Sequence, residues 1–352
     1  MFFVRLPSPA ANVATMQTDW RPAVSPVSPR PPRNPILAVI VLLLIPAACL
    51  GQTPEPVETI RVDSDLVDLK VSVLSLNPQT PSQELQQKDF LVLEDGKPQD
   101  ISFFAAADAP FDLVLLLDLS GSTNDKLKLV RKSAKRFVDA TRPMDRVSVV
   151  AFTDVPLVVC PLTQDRRLLK EAIDDIEKPQ GGTNFWDSLR YVLAIFSASG
   201  NSLRRSAVVV MTDGVDNALP DVFGPGSQTS FAELLGLVRT SETIVFPIYL
   251  DTADEEYKRH RTPRSTFALA QEQLGQLAEA CGSRLYRANK LKDLDDVYQQ
   301  VIGDLGRIYS IGYRPSNNLR DGKWRSVNVQ IQERPDVTAR TKLGYYSRSL
   351  AN

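Results

Sequence analysis

Between residues 110 and 288, short and almost wholly apolar runs alternate with stretches whose apolar residues recur every three or four positions. Few folds accept that alternation. The runs 114–117, 147–152, 207–211 and 244–250 have no regular polar face, as strands covered on both sides do. The stretches 124–140, 165–176, 184–199, 231–240 and 265–280 carry the helical period. The expected fold is therefore α/β, with a doubly wound, mostly parallel sheet.

The flanks read differently. Within residues 56–105, Val67, Leu69, Val71 and Val73 share one face of a strand. Residues 90–94, the turn Asp95-Gly96 and residues 97–104 have the form of a hairpin, because Asp-Gly tolerates the positive φ of a type I′ turn. After the α/β region come an expected helix over 291–305 and a strand over 307–313. A turn at Asp321-Gly322 follows, then an alternating run through Val327, Val329 and Ile331. Neither flank has enough apolar surface for a core of its own, so the two are expected to pack together as a small β-sandwich. The expected organisation is 1–52 as a proline-rich extension and signal, 53–108 as an N-terminal β segment, 109–288 as the α/β domain, and 289–352 as a helix and β segment.

Residues 1–35 combine many prolines with Arg30 and Arg33, and lead into apolar residues 36–45. The apolar stretch ends near Leu50, short of the ~20 residues that span a bilayer, which reads as an export signal. A retained membrane anchor and lipidation at Cys49 are the alternatives; Pro46 departs from the usual lipoprotein box. Met16 is an alternative start. The expected location is periplasmic or extracellular. Beyond the signal only Cys160 and Cys281 occur, too few for a disulfide framework. With 41 Lys+Arg against 42 Asp+Glu, there is no general attraction to nucleic acid. The single histidine, His260, sits in a charged stretch expected to be a solvated loop, which disfavours Ser-His-Asp and histidine-zinc chemistry.

Three polar motifs interrupt the apolar pattern. The first strand ends in Leu117-Asp118-Leu119-Ser120-Gly121-Ser122-Thr123. Gly181-Gly182-Thr183-Asn184 opens a helix, and Thr212-Asp213-Gly214 follows the fourth strand. Each alone is an ordinary helix start or turn, with Ser122 as a cap in the first case. In a doubly wound sheet, however, the first and fourth strand ends flank the crevice where ligands bind, and these ends carry Asp118 and Asp213. Oxygen donors of this kind suit a hard cation. Trp186, close to Thr183, reads as a buried helix anchor.

Taken in this order, Asp-x-Ser-x-Ser, Gly-Gly-Thr and Thr-Asp-Gly resemble the metal-ion-dependent adhesion site of von Willebrand factor type A domains, over roughly residues 110–288. The resemblance implies that Asp118, Ser120, Ser122, Thr183 and Asp213 hold Mg²⁺ or Mn²⁺, the hydroxyls directly and at least one aspartate through water. The flanking sequences Lys88-Asp89-Phe90-Leu91-Val92-Leu93-Glu94-Asp95-Gly96-Lys97-Pro98 and Tyr309-Ser310-Ile311-Gly312-Tyr313-Arg314-Pro315, with the Gly344-Tyr345-Tyr346 ending, resemble the exported von Willebrand factor A-related proteins abundant in Acidobacteria. The strand order of such a domain, 3-2-1-4-5-6, sends residues 155–162 to one edge and Cys281 toward the other. Cys160 and Cys281 are then expected to stay unpaired.

Hydroxyl ligands leave a divalent cation under-neutralised, and an open coordination position attracts a carboxylate from a partner protein. The expected function is a non-enzymatic, adhesion-type binding module. The alternatives are a scaffold or assembly subunit with a structural metal, and a Mg²⁺-dependent phosphotransferase. The last needs a second carboxylate two residues beyond Asp118, where Ser120 stands. No nucleotide-binding glycine loop occurs at a strand-helix junction.

Overall fold

Eight successive buried residues, Phe111–Asp118, form β5, the strand on which the α/β region is built. The computed structural model describes residues 66–75, 84–120, 127–177, 181–199 and 204–349. The expected signal with Cys49, as well as Ser122, lies outside them. Among the described residues no helix is long and apolar enough to cross a membrane.

β5 pairs in parallel with β6 (Arg146–Phe152) on one side and with β8 (Arg205–Thr212) on the other. Beyond β8 lie β9 (Ile244–Leu250) and β10 (Tyr286–Ala288), both parallel; beyond β6 lies β7 (Pro156–Thr163), antiparallel. Numbered along the chain from β5, the strand order is the expected 3-2-1-4-5-6. Helices α1 (Leu127–Ala140), α2 (Arg166–Asp174), α3 (Phe185–Ser199), α4 (Phe231–Thr240) and α6 (Arg264–Ala280) supply the covering layers. Asp165 caps α2 by accepting from the Arg167 and Leu168 amides, and Ser230 caps α4 in a capping box with Glu233. Cys160, on β7, and Cys281, at the end of α6, are buried and unpaired. Burial pushes the Cys281 thiol up to about 11.

The flanks interleave strand by strand. One four-stranded sheet runs β13 (Val337–Arg340), β1 (Val67–Ser75), β11 (Ile308–Tyr313), β4 (Ile101–Ala105). The other runs β14 (Gly344–Tyr346), β12 (Trp324–Ile331), β2 (Phe90–Glu94), β3 (Lys97–Gln99). The alternating face Val67, Leu69, Val71 and Val73 packs in one cluster with Phe90, Val92, Tyr309, Ile311, Val327 and Val329. The buried Glu94 is satisfied by the Tyr313 and Tyr345 hydroxyls, which donate to its Oε2 at 2.7 and 2.8 Å. A buried Arg205, at the start of β8, joins the two regions. Its guanidinium donates to the Ala106 and Ile308 carbonyls and to Ser310 Oγ at 3.1 Å.

Three expectations need correction. The Asp95-Gly96 turn has positive φ at both residues and joins β2 to β3, but the second arm stops at Gln99. Residues 101–105 then cross to the other sheet as β4, beside β11. The stretch containing His260 is not a loop but the helix α5 (Ala253–His260), closed by Arg261 in the left-handed conformation, φ 64°. The helix expected over 291–305 opens with a 3₁₀ turn, Leu291–Asp293, before α7 (Leu294–Leu305).

β11 lies inside the first flanking sheet and β12 inside the second, so deleting residues 307–352 removes an inner strand from each. It also uncovers Leu69 and Val71, both 0% exposed. The truncated protein is expected to aggregate, as judged by gel filtration and light scattering. A soluble, monomeric and cooperatively melting fragment would show that the N-terminal strands do not need them.

Candidate functional site

The site forms where the chain reverses its direction of travel across the sheet. From the end of β5 the chain goes on to β6; from the end of β8 it goes on to β9, on the opposite side. Because Leu117 pairs with Met211, Asp118 and Asp213 leave neighbouring strand ends on either side of the resulting crevice.

Asp118 is fully buried. Its Oδ2 accepts from Thr212 Oγ1 at 2.6 Å and its Oδ1 from the Ser120 amide at 2.9 Å. Burial raises the carboxyl above its ordinary range; the Thr212 and Ser120 hydrogen bonds oppose the rise and the Asp216 charge adds to it. Asp213 Oδ1 accepts from the Val215 amide at 3.1 Å, and Oδ2 from Thr252 Oγ1 at 2.7 Å. A cleft of about 260 Å³ gathers Ser120, Thr183 and Asp213, together with Glu256, Thr262 and Phe223. Asp118 reaches this cleft through the Ser120 amide. Of the five residues expected to form the site, four are therefore linked at one crevice, and Ser122 lies outside the described residues.

The loop carrying Thr183 is held from both sides. The Gly182 amide donates to Asp154 Oδ1 at 2.7 Å, and the Asn184 amide donates to the Thr153 carbonyl at 2.9 Å. The Asn217 amide donates to the Thr183 carbonyl at 2.9 Å. The paired glycines are required by close approach: a Cβ on Gly181 would collide with the Asp154 carboxylate, and one on Gly182 with the Asn217 amide. As expected, Trp186 anchors α3, buried and with its ring centroid 6.0 Å from that of Phe231.

Sequence reasoning missed the residue that organises this region. Asp216 is 0% exposed, and its two oxygens accept four hydrogen bonds. Oδ1 takes the Ala218 and Ser227 amides at 2.8 and 3.0 Å; Oδ2 takes the Trp186 amide at 3.0 Å and Ser227 Oγ at 2.6 Å. This carboxylate binds the start of α3 to the loop after β8. Only its place just after Thr212-Asp213-Gly214 could have signalled it, since Trp186 and Ser227 are distant in the chain.

The donors fit a hard cation. Among the described residues no three His, Cys, Asp or Glu side chains gather to hold an ion, so direct ligation here depends on hydroxyls beside carboxylates. None of the described lining residues is basic. Hydrogen bonds from Thr212, the Ser120 amide, the Val215 amide and Thr252 offset part of the burial cost of Asp118 and Asp213, and an oxygen-lined cleft of this kind would accept a divalent ion.

Asp216→Ala leaves buried amide donors on two elements without their acceptor. The variant is expected to lose roughly 2–4 kcal/mol of stability in urea unfolding. A loss below about 0.5 kcal/mol, within the range of an ordinary surface substitution, would show that Asp216 does not organise the loops.

The family model of the von Willebrand factor type A domain matches residues 113–215. Over 115 residues, 30% of this chain, it is 29% identical to the collagen alpha-1(VI) chain of Gallus gallus, of whose length the match covers 11%. A solved von Willebrand factor type A structure from Catenulispora acidiphila is similar at 14% identity, with 75% of this chain and 76% of that chain covered and a TM-score of 0.44. Proximal thread matrix protein 1 from the mussel byssus, solved with a zinc-occupied MIDAS motif, is similar at 19% identity, covering 59% and 48%, with a TM-score of 0.42.

Proposed function

We propose that this protein is a non-enzymatic binding module that takes up a divalent cation, Mg²⁺ or Mn²⁺, and through it recognises a carboxylate on a partner protein. The observation that carries the reading is the convergence of Ser120, Thr183 and Asp213 on one cleft, linked to the buried Asp118 and without a basic lining residue among those described. In this reading Ser120, Ser122 and Thr183 ligate the ion through their hydroxyls, and Asp118 and Asp213 supply charge, at least one of them through water. The ion, when bound, offers an open coordination position to an acidic side chain. Asp118 holds the Ser120 backbone in place, and Thr212 and Thr252 fix the carboxylate orientations.

The phosphotransferase alternative lacks its second carboxylate, since Ser120 occupies that position. A scaffold role for the same cation differs from adhesion in its partner rather than in its site chemistry. The reading includes export, directed by residues 1–52, and a division of the remaining chain near residues 108 and 288.

Calorimetric titration of the metal-stripped protein with Mg²⁺ and Mn²⁺ is expected to show saturable binding that Asp118→Ala removes. Cross-linked pull-downs from the native cell envelope, with Mg²⁺ and with chelator, extend the test to the partner. Partners lost both on chelation and in Thr183→Ala support a metal bridge. An identical partner set in all three conditions would leave the cation a structural role only.

A further inference from the structure

One sheet of the β-sandwich ends in an open edge. β14 is its outer strand, with β12 as the neighbour on one side. Across that pair the Val327 amide donates to the Leu343 carbonyl at 2.9 Å and the Ser347 amide to the Lys323 carbonyl at 2.8 Å. In an antiparallel ladder such pairs alternate with residues whose backbone groups point the other way. Tyr346, opposite Trp324, is one of these, so its N–H and C=O face away from β12. Among the described residues no strand pairs with them there. An edge of this kind is a template for an added strand.

A groove of about 440 Å³ is lined by Tyr346 and Ser347 from this edge, by Arg239 from the last turn of α4, and by Arg314 from the loop after β11. Its walls are set without a ligand. The Tyr345 hydroxyl is held by Glu94, and the Tyr346 ring packs edge-on against Trp324 with centroids 5.0 Å apart. Ser347 Oγ donates to Asp321 Oδ1 at 2.7 Å, and the Ser316 amide donates to Gln99 Oε1 at 2.8 Å, which pins the loop after β11. Tyr346 nonetheless stays 62% exposed. A fixed aromatic side chain of this kind offers contact area at little entropic cost.

Charge decides what kind of strand fits. The two described acids of the groove are already engaged, Glu242 with Lys342 at 2.9 Å and Asp68 with Lys70. Arg239 and Arg314 are exposed and make no ion pair among the described residues. In an extended peptide every second side chain lies on one face, so acidic residues at alternate positions present a continuous negative face. Guanidinium groups accept such carboxylates in forked, charge-assisted pairs.

We propose that the edge of β14 and this groove bind an extended acidic segment of a partner protein, which adds to the sheet as a further strand and directs its carboxylates to Arg239 and Arg314. The site stands apart from the cation reading, since it shares no lining residue with the crevice at Asp213.

The probe is a dye-labelled peptide of alternating Glu and Val, titrated with the full chain by fluorescence anisotropy. Saturable binding is expected, unchanged by chelator and in Asp118→Ala. Reversing both arginines, Arg239→Glu with Arg314→Glu, is expected to weaken it roughly 10-fold. A peptide of alternating Lys and Val is expected to prefer the reversed variant over wild type, a gain that a misfolded variant cannot show. Methylating the backbone nitrogens of all Glu or of all Val residues blocks one edge of the peptide at a time, so one methylated peptide is expected to lose binding and the other to keep it. Equal binding by both, or an unweakened affinity in the reversed variant, would overturn strand addition at this groove. Loss on chelation or in Asp118→Ala would move the peptide to the cation crevice and overturn the assignment as well. Polygalacturonate supplies carboxylates without an amide backbone; if it binds more tightly than the peptide, the ligand is a polysaccharide and the proposal falls.

Discussion

The parallel pairing of β5 with β8 is the constraint on which the rest of the molecule depends. Both strands are buried nearly throughout, so they accept only one kind of surrounding, a sheet covered on both faces. Once they pair, the crossovers leave in opposite directions, toward β6 and toward β9, and their divergence opens a crevice between the two strand ends. The crevice is thus a by-product of topology. Its chemistry comes from the residues at which the apolar runs stop: Asp118 on one strand, Thr212 and Asp213 on the other. The hydrogen bond from Thr212 to Asp118 spans the two strand ends, so the pairing that forms the core also aligns the carboxylates.

The opposite end of the same strands has inverse electrostatics. Asp112, near the start of β5, accepts from Arg146 Nε at 2.8 Å and Arg204 Nε at 2.6 Å. Burial would raise this carboxyl, but the hydrogen bonds and charges of the two arginines outweigh it and hold Asp112 below its ordinary value. Burial, with Arg142 close by, lowers the neighbouring Arg205 to about 10, so it stays cationic at neutral pH. Its contacts to Ala106, Ile308 and Ser310 fasten the β-sandwich there. Asp112 is therefore paired with arginines at the end where the two regions join, whereas the described residues lining the cleft at the other end include no basic side chain. The flanking sheets are attached far from the crevice, which leaves it facing away from the joint.

What could be read from the sequence follows from the range of the interactions involved. The strands of the α/β sheet were legible because burial on both faces leaves an unbroken apolar run, as in residues 114–117. Asp118, Ser120, Thr183 and Asp213 were legible because oxygen-bearing residues at strand ends recur in an order that topology makes meaningful. The break at Asp100 was not, since Ile101 and Phe103 continue the alternation of the hairpin while the chain changes sheets. Nor was α5: its residues offer no apolar stripe, and it is held by Thr252 at one end and the left-handed Arg261 at the other. Asp216 and Asp154 escaped notice because each acts through partners on other elements, which spacing along the chain does not encode.

Burying carboxylates at the crevice has a consequence for stability as well as for binding. Asp118 is buried with the Asp216 charge against it and with hydrogen bonds from Thr212 and Ser120 in its favour, so the fold carries an electrostatic cost at the crevice that the apolar packing of β5 and β8 helps to offset. A cation bound there relieves that cost only in the folded state, because the residues around it are assembled from strand ends, a helix start and α5, which come together only on folding. Ion binding and folding free energy are then linked: occupancy stabilises the native state in proportion to the logarithm of ion concentration over its dissociation constant. The same linkage runs outward. In the proposed reading, a partner carboxylate that completed the ion's coordination would tighten the ion's hold, and with it the loops that Asp216 and Thr252 tie together, so that recognition would stiffen the site that performs it.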